Sequence, residues 1–324
     1  MMIFFQKTCY GLKKSSLLSL IFSFSLLLPL CSCFTGIEST KKINLSRQDR
    51  KLALPTPEEK YMEQIEPEPL KNWDTGKLFM ASDDKALLVI VPREGLVDIP
   101  PDSVKGKILQ FYGVDSKINA AGDINLVLLF FDGVYIYTFD TGKPFQEAME
   151  NLKSDQVPML IDLQMVDEAR ALLNGKQVWT RSSLWYDKDG NRVPGRKFIP
   201  VTITNISPGN MVFPLEVEIT DPDGNQAFLF MNFGSNDNES RAFGNLFSLS
   251  DLRKHYPGID DETWEYITKE KVKPGMTKEE CRLALGNPTE ANSGHDYSQT
   301  LDIWSYENGY VLWFEDGRLV KTRQ

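Results

Sequence analysis

Cysteine and histidine supply many of the catalytic nucleophiles, general bases and zinc ligands of proteins, and both are rare in this chain. The 324 residues include four cysteines and two histidines, His255 and His295. Their spacing matches no zinc-binding pattern. His295 lies in the polar segment 293–296, so we expect a solvated loop residue rather than half of a catalytic dyad. Cys281 lies in a predicted helix, where a small core residue is expected instead of a nucleophile.

Other catalytic and ligand-binding motifs are absent from the sequence or incomplete. It has neither the G-x-S-x-G turn of the α/β-hydrolases nor the HExxH helix of zinc proteases. Segments 187–191 and 221–225 both read D-x-D-G-N, a pattern that calcium loops also use. Neither supplies the later bidentate glutamate, and Asp-Gly pairs are typical of hairpin turns. We therefore predict no catalytic residue, no cofactor site and no metal site, and we do not expect an enzyme.

The first 33 residues contain the other three cysteines and indicate a different chemistry. The apolar run Leu17–Leu30 has 14 residues, fewer than the roughly 20 that a membrane-spanning helix needs. Three lysines and no acidic residue precede this run. A basic start, a short apolar stretch and small residues before a cysteine are typical of a secretory signal peptide. Residues 1–32 are therefore predicted to be removed on secretion.

The end of this stretch, Leu30-Cys31-Ser32-Cys33, resembles the lipobox of bacterial lipoproteins. In that motif a leucine and a small residue precede the cysteine that receives the lipid. The resemblance implies that Cys33 is the lipid attachment site. Cys31 is the poorer candidate, because bulky residues precede it. Several acyl chains, such as palmitate, hold a protein stably at a membrane. The residue after Cys33 is not aspartate, which favours sorting to the outer membrane.

The charge of the chain limits its partners. Removing residues 1–32 takes away three lysines and no acid, and so changes the formal net charge from −9 to −12. An acidic protein is a poor candidate for nucleic-acid binding, which depends on basic residues that neutralise phosphates. The sequence also lacks a polybasic patch for anionic lipid. We therefore expect the membrane contact to be the lipid anchor itself.

Changes of composition along the chain predict four regions. They are a signal peptide (1–32), a lipid anchor and flexible tether (33–75), a β-rich domain (76–256) and a small C-terminal domain (257–324). The tether is predicted from its many prolines and glutamates and its lack of apolar periodicity. In the β-rich domain, strand-like runs such as Ala86–Val91 alternate with turn pairs such as Asp132-Gly133. Whether this region forms one domain or two subdomains stays open.

The C-terminal region has clear helix signals. A first helix is predicted over 260–268, and a second begins at Thr277. Glu280 follows three residues later and completes a capping box. Met276 and Cys281 would pack together as a hydrophobic staple, and Gly286 would end the helix. These signals predict a helical hairpin.

Strand signals follow the helical hairpin. Runs 301–307 and 310–315 flank Asn308-Gly309, a favoured hairpin turn. A short last segment, 318–322, comes after Asp316-Gly317. One face of this sheet would cover the helices. The predicted fold class is therefore α+β, with a β-rich middle region of antiparallel hairpins and a small αα-hairpin plus antiparallel-sheet domain.

The segments VKPGMTKEECRLALGNP, WSYENG and VLWFEDGRLV together resemble the SmpA/OmlA domain of BamE-type outer-membrane lipoproteins. The matched positions are Gly275-Met276-Thr277, Leu285-Gly286-x-Pro288, Trp304-x-Tyr306 and Phe314-x-Asp316-Gly317. The resemblance covers about residues 260–322 and implies an αα hairpin on a small antiparallel sheet, as also found in β-lactamase-inhibitor-like domains. Its best-known members assist the machinery that inserts β-barrels into the outer membrane. Typical members lack the long β-rich region found here, and one fold can serve several functions.

These observations predict a lipid-anchored bacterial cell-envelope protein, on the periplasmic side or at the cell surface. We expect a non-enzymatic interaction module with a role in outer-membrane protein assembly or envelope integrity. Its expected partner is a protein, and the resemblance points to the outer-membrane assembly machinery. Tyr310 and Trp313 are predicted partner contacts, on the assumption that the sheet turns them outward. The alternative is a lipid-anchored enzyme or ligand-binding receptor with its site in residues 76–256.

Overall fold

Three antiparallel β-sheets, each with its own hydrophobic core, make up the described part of this mixed α/β protein. The computed structural model describes residues 55–93, 103–234, 240–296 and 299–323, which belong to one unit that begins at Pro55. Its α-helices are α1 (Pro57–Met62), α2 (Phe145–Asn151), α3 (Leu163–Leu173), α4 (Phe243–Leu246), α5 (Asp261–Thr268) and α6 (Lys278–Leu285). Short 3₁₀ helices cover Leu70–Asn72, Asp84–Leu88, Ser154–Gln156 and Leu252–His255.

The first sheet is built from β1 (Leu78–Ala81), β2 (Val91–Pro92), β3 (Ile108–Ile118), β4 (Ile124–Phe131), β5 (Ile136–Pro144) and β6 (Leu160–Asp162). Its strand order is β2-β5-β4-β3-β1-β6. The predicted hairpin at Asp132-Gly133 is confirmed. The Asp132 carboxylate accepts the N–H groups of Val134 and Tyr135 at 2.9 and 2.7 Å, and Gly133 takes the positive φ that this turn requires.

The second sheet contains β7 (Gln177–Thr180), β8 (Leu184–Tyr186), β9 (Arg192–Pro194), β10 (Pro200–Pro208), β11 (Leu215–Thr220), β12 (Gln226–Met231) and β13 (Phe247–Ser248). The strand order is β13-β7-β10-β11-β12-β8-β9. Residues of β11 alternate between buried and partly exposed, which is the pattern of a strand with one face on a core. Helix α3 supplies the other side of this core with Met165, Val166, Ala169 and Leu173.

The third sheet contains β14 (Glu290–Asp296), β15 (Gln299–Ser305), β16 (Val311–Glu315) and β17 (Arg318–Arg323), in that spatial order. Helices α5 and α6 share a core with it. The predicted capping box is confirmed, because Thr277 Oγ1 accepts the N–H of Glu280 at 3.2 Å and Glu280 Oε2 accepts that of Thr277 at 2.7 Å. Met276 and Cys281 both lie in this core, as the predicted staple requires.

The first described residues are packed, where the sequence predicted a flexible tether as far as residue 75. Helix α1 buries Glu58 and Met62, and Leu70 and Trp73 follow as core residues. The Glu58 carboxylate accepts the Ser248 hydroxyl at 3.1 Å. The tether prediction is therefore corrected over residues 57–73. Local composition could not reveal this packing, because the contact partner of Glu58 lies 190 residues further along the chain.

Two other segments differ from their predictions. Residues 86–91, predicted as a strand, contain the end of the 3₁₀ helix Asp84–Leu88 and only the first residue of β2. Asp83 caps that helix through its side chain, and this local hydrogen bond outweighs the β propensity of the run. Residues 293–296, predicted as a loop around His295, belong to β14, which pairs with β15. An edge strand exposed on one side needs no apolar run, so its polar sequence resembled a loop.

Candidate interaction surface

The third sheet has two chemically different faces. Side chains of β15 and β16 that point toward the helices are buried, among them Trp304, Leu312 and Phe314. The alternate residues point away from the helices and stay exposed or partly exposed. We call this side the outer face. Three cross-strand rows cross it: Asn292, Ile303, Trp313 and Lys321; Glu290, Ser305, Val311 and Arg323; Gly294, Leu301, Glu315 and Arg318.

Large apolar side chains occupy the middle of the outer face. Leu301 and Ile303 are 37% and 39% exposed, and Trp313 lies directly opposite Ile303 on the next strand. Val320, at the irregularity in β17, is 42% exposed at the sheet edge. Single exposed apolar residues are common, but neighbouring ones in adjacent strands are typical of an interaction surface.

Two cations lie beside Trp313. The Lys321 ammonium is 5.3 Å from the ring centroid, and the Arg323 guanidinium carbon is 6.0 Å from it. Such contacts hold a cation over the electron-rich ring face. In the described part of the chain, neither Lys321 nor Arg323 forms an ion pair with a carboxylate. Both side chains are exposed to solvent.

Tyr310 does not lie on the outer face with Trp313. Tyr310 is partly buried and packs against the core between the sheet and the helices. It precedes β16 and has the same alternation as Leu312 and Phe314, which explains its direction. Of the two predicted contact residues, only Trp313 points outward.

An ion pair between a partly exposed lysine and a buried carboxylate supports the sheet from the helix side. The Asp302 side chain is only 4% exposed, and its carboxylate lies 2.5 Å from the Lys278 ammonium. It also accepts a hydrogen bond from the Ser293 hydroxyl. Asp302 thus joins the first residue of α6 to β14 and β15.

Two of the residues considered for catalysis, Cys281 and His255, lie apart from the outer face. Cys281 is fully buried, and burial raises the pKa of its thiol to about 12, so the reactive thiolate does not form near neutral pH. His255 is exposed at the end of a 3₁₀ helix. His295 lies in β14. Cys33, the predicted lipid site, lies outside the described residues.

A groove of about 760 Å³ runs along α3, and Lys77 is one of the residues that line it. This lysine is bonded to Glu68 Oε2 at 3.0 Å, Asp162 Oδ2 at 3.0 Å and Gln164 Oε1 at 2.9 Å. Three oxygens satisfy the three donors of an ammonium group. Lys77 therefore has a structural role that its neighbours explain. A second cavity of about 310 Å³ lies beside β6, near Met211 and Phe233.

The aspartate carboxylates that begin the two D-x-D-G-N turns accept hydrogen bonds from backbone N–H groups of the same turn. Asp187 accepts the N–H groups of Asp189 and Asn191, both at 2.9 Å. These hydrogen bonds, that of Asn191 first, lower the pKa of Asp187. Asp221 makes the same contacts in its own turn. Among the described residues, no group of three or more histidines, cysteines and acids is arranged to hold a metal ion.

Comparison with known proteins adds no relative. No protein family, no curated protein and no solved structure matches this chain. Within the described ranges, no helix has both the length and the apolar character to cross a membrane. The chain's own residues must therefore carry any functional argument.

Sequence reasoning missed most of the outer face. It named Trp313, but it treated residues 318–322 only as a short last segment. The alternation in Arg318–Arg323 and the hairpin pair Asp316-Gly317 were the available signal. Together they predict a strand that places Lys321 and Arg323 on one side. The cross-strand position beside Trp313 could be known only from the register.

Proposed function

We propose that this chain is a lipid-anchored cell-envelope protein that binds a protein partner through the outer face and carries out no chemistry itself. The observation that carries the proposal is the apolar patch formed by the exposed Leu301 and Ile303 and the partly exposed Trp313. Burying this apolar patch against a partner removes apolar surface from water, which is the main driving force for association. Trp is also among the residues most often found at binding hot spots.

The helix pair packed on a four-stranded antiparallel sheet supports a BamE-like assignment for residues 257–324. The capping box at Thr277 and Glu280 and the core position of Trp304 support it further, because both belong to the segments that carry the resemblance. On this basis we propose a role in outer-membrane protein assembly or envelope integrity. Attachment through Cys33 would keep the outer face near its partner at the membrane.

The alternative function is a lipid-anchored enzyme or a ligand-binding receptor with its site in residues 76–256. Its best support is the groove beside Lys77, which is large enough for a small ligand. The polar groups that line the inner end of the groove are bonded to one another. A ligand would have to displace these contacts, so the interaction role is the better supported of the two.

A photo-cross-linking amino acid at Ile303 tests the proposed function in the full-length protein inside cells. We expect a discrete protein adduct from position 303. Position 212 is the control, because Val212 is 60% exposed in the β10–β11 connection and not on the third sheet. Adding Trp313→Ala should weaken the adduct at 303. Equal labelling at 303 and 212, or none at 303, would contradict the proposal.

A further inference from the structure

We propose that the outer face binds a protein segment that carries both carboxylates and apolar side chains. This inference rests on the proposed function and adds the chemistry of the partner. The apolar patch of Leu301, Ile303 and Trp313 would receive the apolar side chains. Lys321 and Arg323 would receive the carboxylates.

The charge of the third sheet's last strand is unusual for this molecule. The whole chain has a formal net charge of −9, yet β17 contains three cations and no acid. The Arg318 guanidinium donates to the Gly275 carbonyl at 2.9 Å and is used within the fold. Among the described residues, the side chains of Lys321 and Arg323 contact the Trp313 ring and form no ion pair.

A neutral, purely apolar partner would not suit this arrangement. Covering Ile303 and Trp313 would also remove water from Lys321 and Arg323, since these cations lie next to the Trp313 ring. Removing water from a charge is costly unless an opposite charge replaces it. Carboxylates on the partner would supply that replacement, and they would form charge-assisted hydrogen bonds. Charge complementarity therefore favours an acidic partner.

The register also orients the partner. Lys321 and Arg323 lie in the rows of Trp313 and Val311, whereas the row of Leu301 ends in Glu315 and Arg318 on strands β16 and β17. A bound segment would therefore place its acids over β17 and its apolar side chains toward β15. Glu315 would repel carboxylates at the Leu301 end of the face.

A protein segment fits the outer face better than an anionic membrane does. Sequences that bind anionic lipid headgroups carry clusters of about four to eight basic residues. Among the described residues, the outer face presents three cations without an ion-pair partner, Arg318, Lys321 and Arg323, and Arg318 already donates to the Gly275 carbonyl. Its apolar side chains project from one face of a pleated sheet, a surface against which a strand or a helix can pack.

The test uses the full-length chain, purified in a neutral detergent, and a labelled peptide of alternating glutamate and valine. Fluorescence anisotropy should show binding that weakens as salt is raised, because exposed charge pairs are screened. The double variant Lys321→Glu/Arg323→Glu should weaken binding by roughly tenfold or more. The same variant should gain affinity for a peptide of alternating lysine and valine. A reversed charge preference of this kind cannot result from a general loss of folding.

The matched control is Lys188→Glu/Lys254→Glu, which changes the net charge equally. Both lysines are exposed and lie outside the third sheet. This control should bind the glutamate–valine peptide like the wild type. Equal binding by Lys321→Glu/Arg323→Glu, or no binding by the wild type, would overturn the acidic-partner proposal. A second result would also overturn the proposal. If the wild type binds vesicles that contain one quarter phosphatidylglycerol, and if this binding is lost in Lys321→Glu/Arg323→Glu, the outer face is a membrane contact.

The cross-link at Ile303 separates this inference from the proposed function. An adduct at Ile303 that persists in the Lys321→Glu/Arg323→Glu variant would leave the proposed function in place and remove the acidic-partner chemistry. An adduct that disappears in this variant and persists in the Lys188→Glu/Lys254→Glu control would support both. The absence of any adduct at Ile303 in the wild type would overturn the proposed function itself.

Discussion

The ammonium nitrogen of Lys77 lies 3.0 Å from Oδ2 of Asp162, and the two side chains are only 4% and 0% exposed. Asp162 also caps α3, because its other oxygen accepts the N–H of Gln164 at 3.0 Å. Lys77 immediately precedes β1. One ion pair therefore joins the first sheet to the helix that covers the second.

Replacing Lys77 with methionine should destabilise the protein strongly. The change leaves the Asp162 carboxylate buried without its cation, which typically costs about 3–5 kcal/mol. Urea unfolding measures the loss. Lys71→Met is the control, because Lys71 is 53% exposed and pairs with Glu150 at the surface, where such pairs contribute about 0–1 kcal/mol. Adding Asp162→Asn to Lys77→Met should recover part of the stability. Similar losses for Lys77→Met and Lys71→Met would show that the buried pair is not important.

Replacing Glu58 with alanine should release α1 from the body. The Glu58 carboxylate accepts hydrogen bonds from Ser248 and from the N–H of Leu249, and both donors would lose their partner. Leaving such groups unsatisfied costs about 1–3 kcal/mol. Thermal or urea unfolding would show the change, and Glu66→Ala, at an exposed position, should have little effect. If both variants unfold alike, the contact between α1 and β13 does not stabilise the fold.

Gly195 should tolerate no side chain. A Cβ built there would lie 2.3 Å from the Ser183 carbonyl oxygen and 2.6 Å from the Trp185 ring. Gly195→Ala should therefore cost about 1–3 kcal/mol through overpacking. Gly258→Ala is the matched control, because a Cβ at Gly258 meets nothing within 4 Å. We expect its unfolding free energy to stay within about 0.5 kcal/mol of the wild type. Equal stability of the two variants would contradict the close approach at Gly195.

The Cys281 thiol should be unreactive in the folded protein. Because burial raises its pKa from 9.0 to about 12, very little thiolate exists at pH 8. Iodoacetamide should therefore label Cys281 slowly in the native state and rapidly in urea. Rapid labelling of native Cys281 would contradict its burial.

The same shift predicts a dependence of stability on pH. Above about pH 9 the thiol ionises in the unfolded chain but stays protonated in the folded one. The unfolded state then binds fewer protons, so the unfolding free energy falls as pH rises from 9 toward 12. Below pH 8 the thiol adds no pH dependence. Cys281→Ala should remove this component, so the stability difference between wild type and variant should change with pH only in the alkaline range.

Cys33→Ala tests the predicted anchor. The variant should accumulate as an uncleaved or soluble form without lipid, because the thiol that receives the acyl groups is gone. Membrane fractionation and labelling with a fatty-acid analogue measure the outcome. If Cys33→Ala fractionates with the membrane and incorporates the fatty-acid analogue as the wild type does, Cys33 is not the lipid attachment site. The control is Cys31→Ala, which should still carry the lipid.

Local sequence signals were sufficient to predict those elements whose hydrogen bonds join residues a few positions apart. The capping box of Thr277 and Glu280 involves residues three apart and was predictable. The turn at Asp132-Gly133 was also predictable, since Asp and Gly have specific roles in hairpins. Elements of this kind define the helix and strand positions well.

Long-range contacts determined what sequence reasoning missed. The burial of Glu58 depends on Ser248, and no local pattern encodes such a partner. The direction of Tyr310, by contrast, follows from the local alternation with Leu312 and Phe314, which was not applied to it in predicting a partner contact. The cations beside Trp313 depended on the pairing of β16 with β17. The candidate surface was therefore only partly predictable, because its chemistry arises from residues that register brings together.

The contact between Glu58 and Ser248 also sets the order in which the fold can be completed. The two residues are 190 positions apart in the chain. Bringing them together costs the loop-closure entropy of the whole intervening segment, and this cost precedes the stabilisation that the contact provides. Proteins that depend on such non-local contacts fold slowly. Because synthesis proceeds from the N-terminus, α1 is made early but must wait until residue 248 has been made. A secreted chain would therefore complete this part of its core only late, after most of it has been translocated.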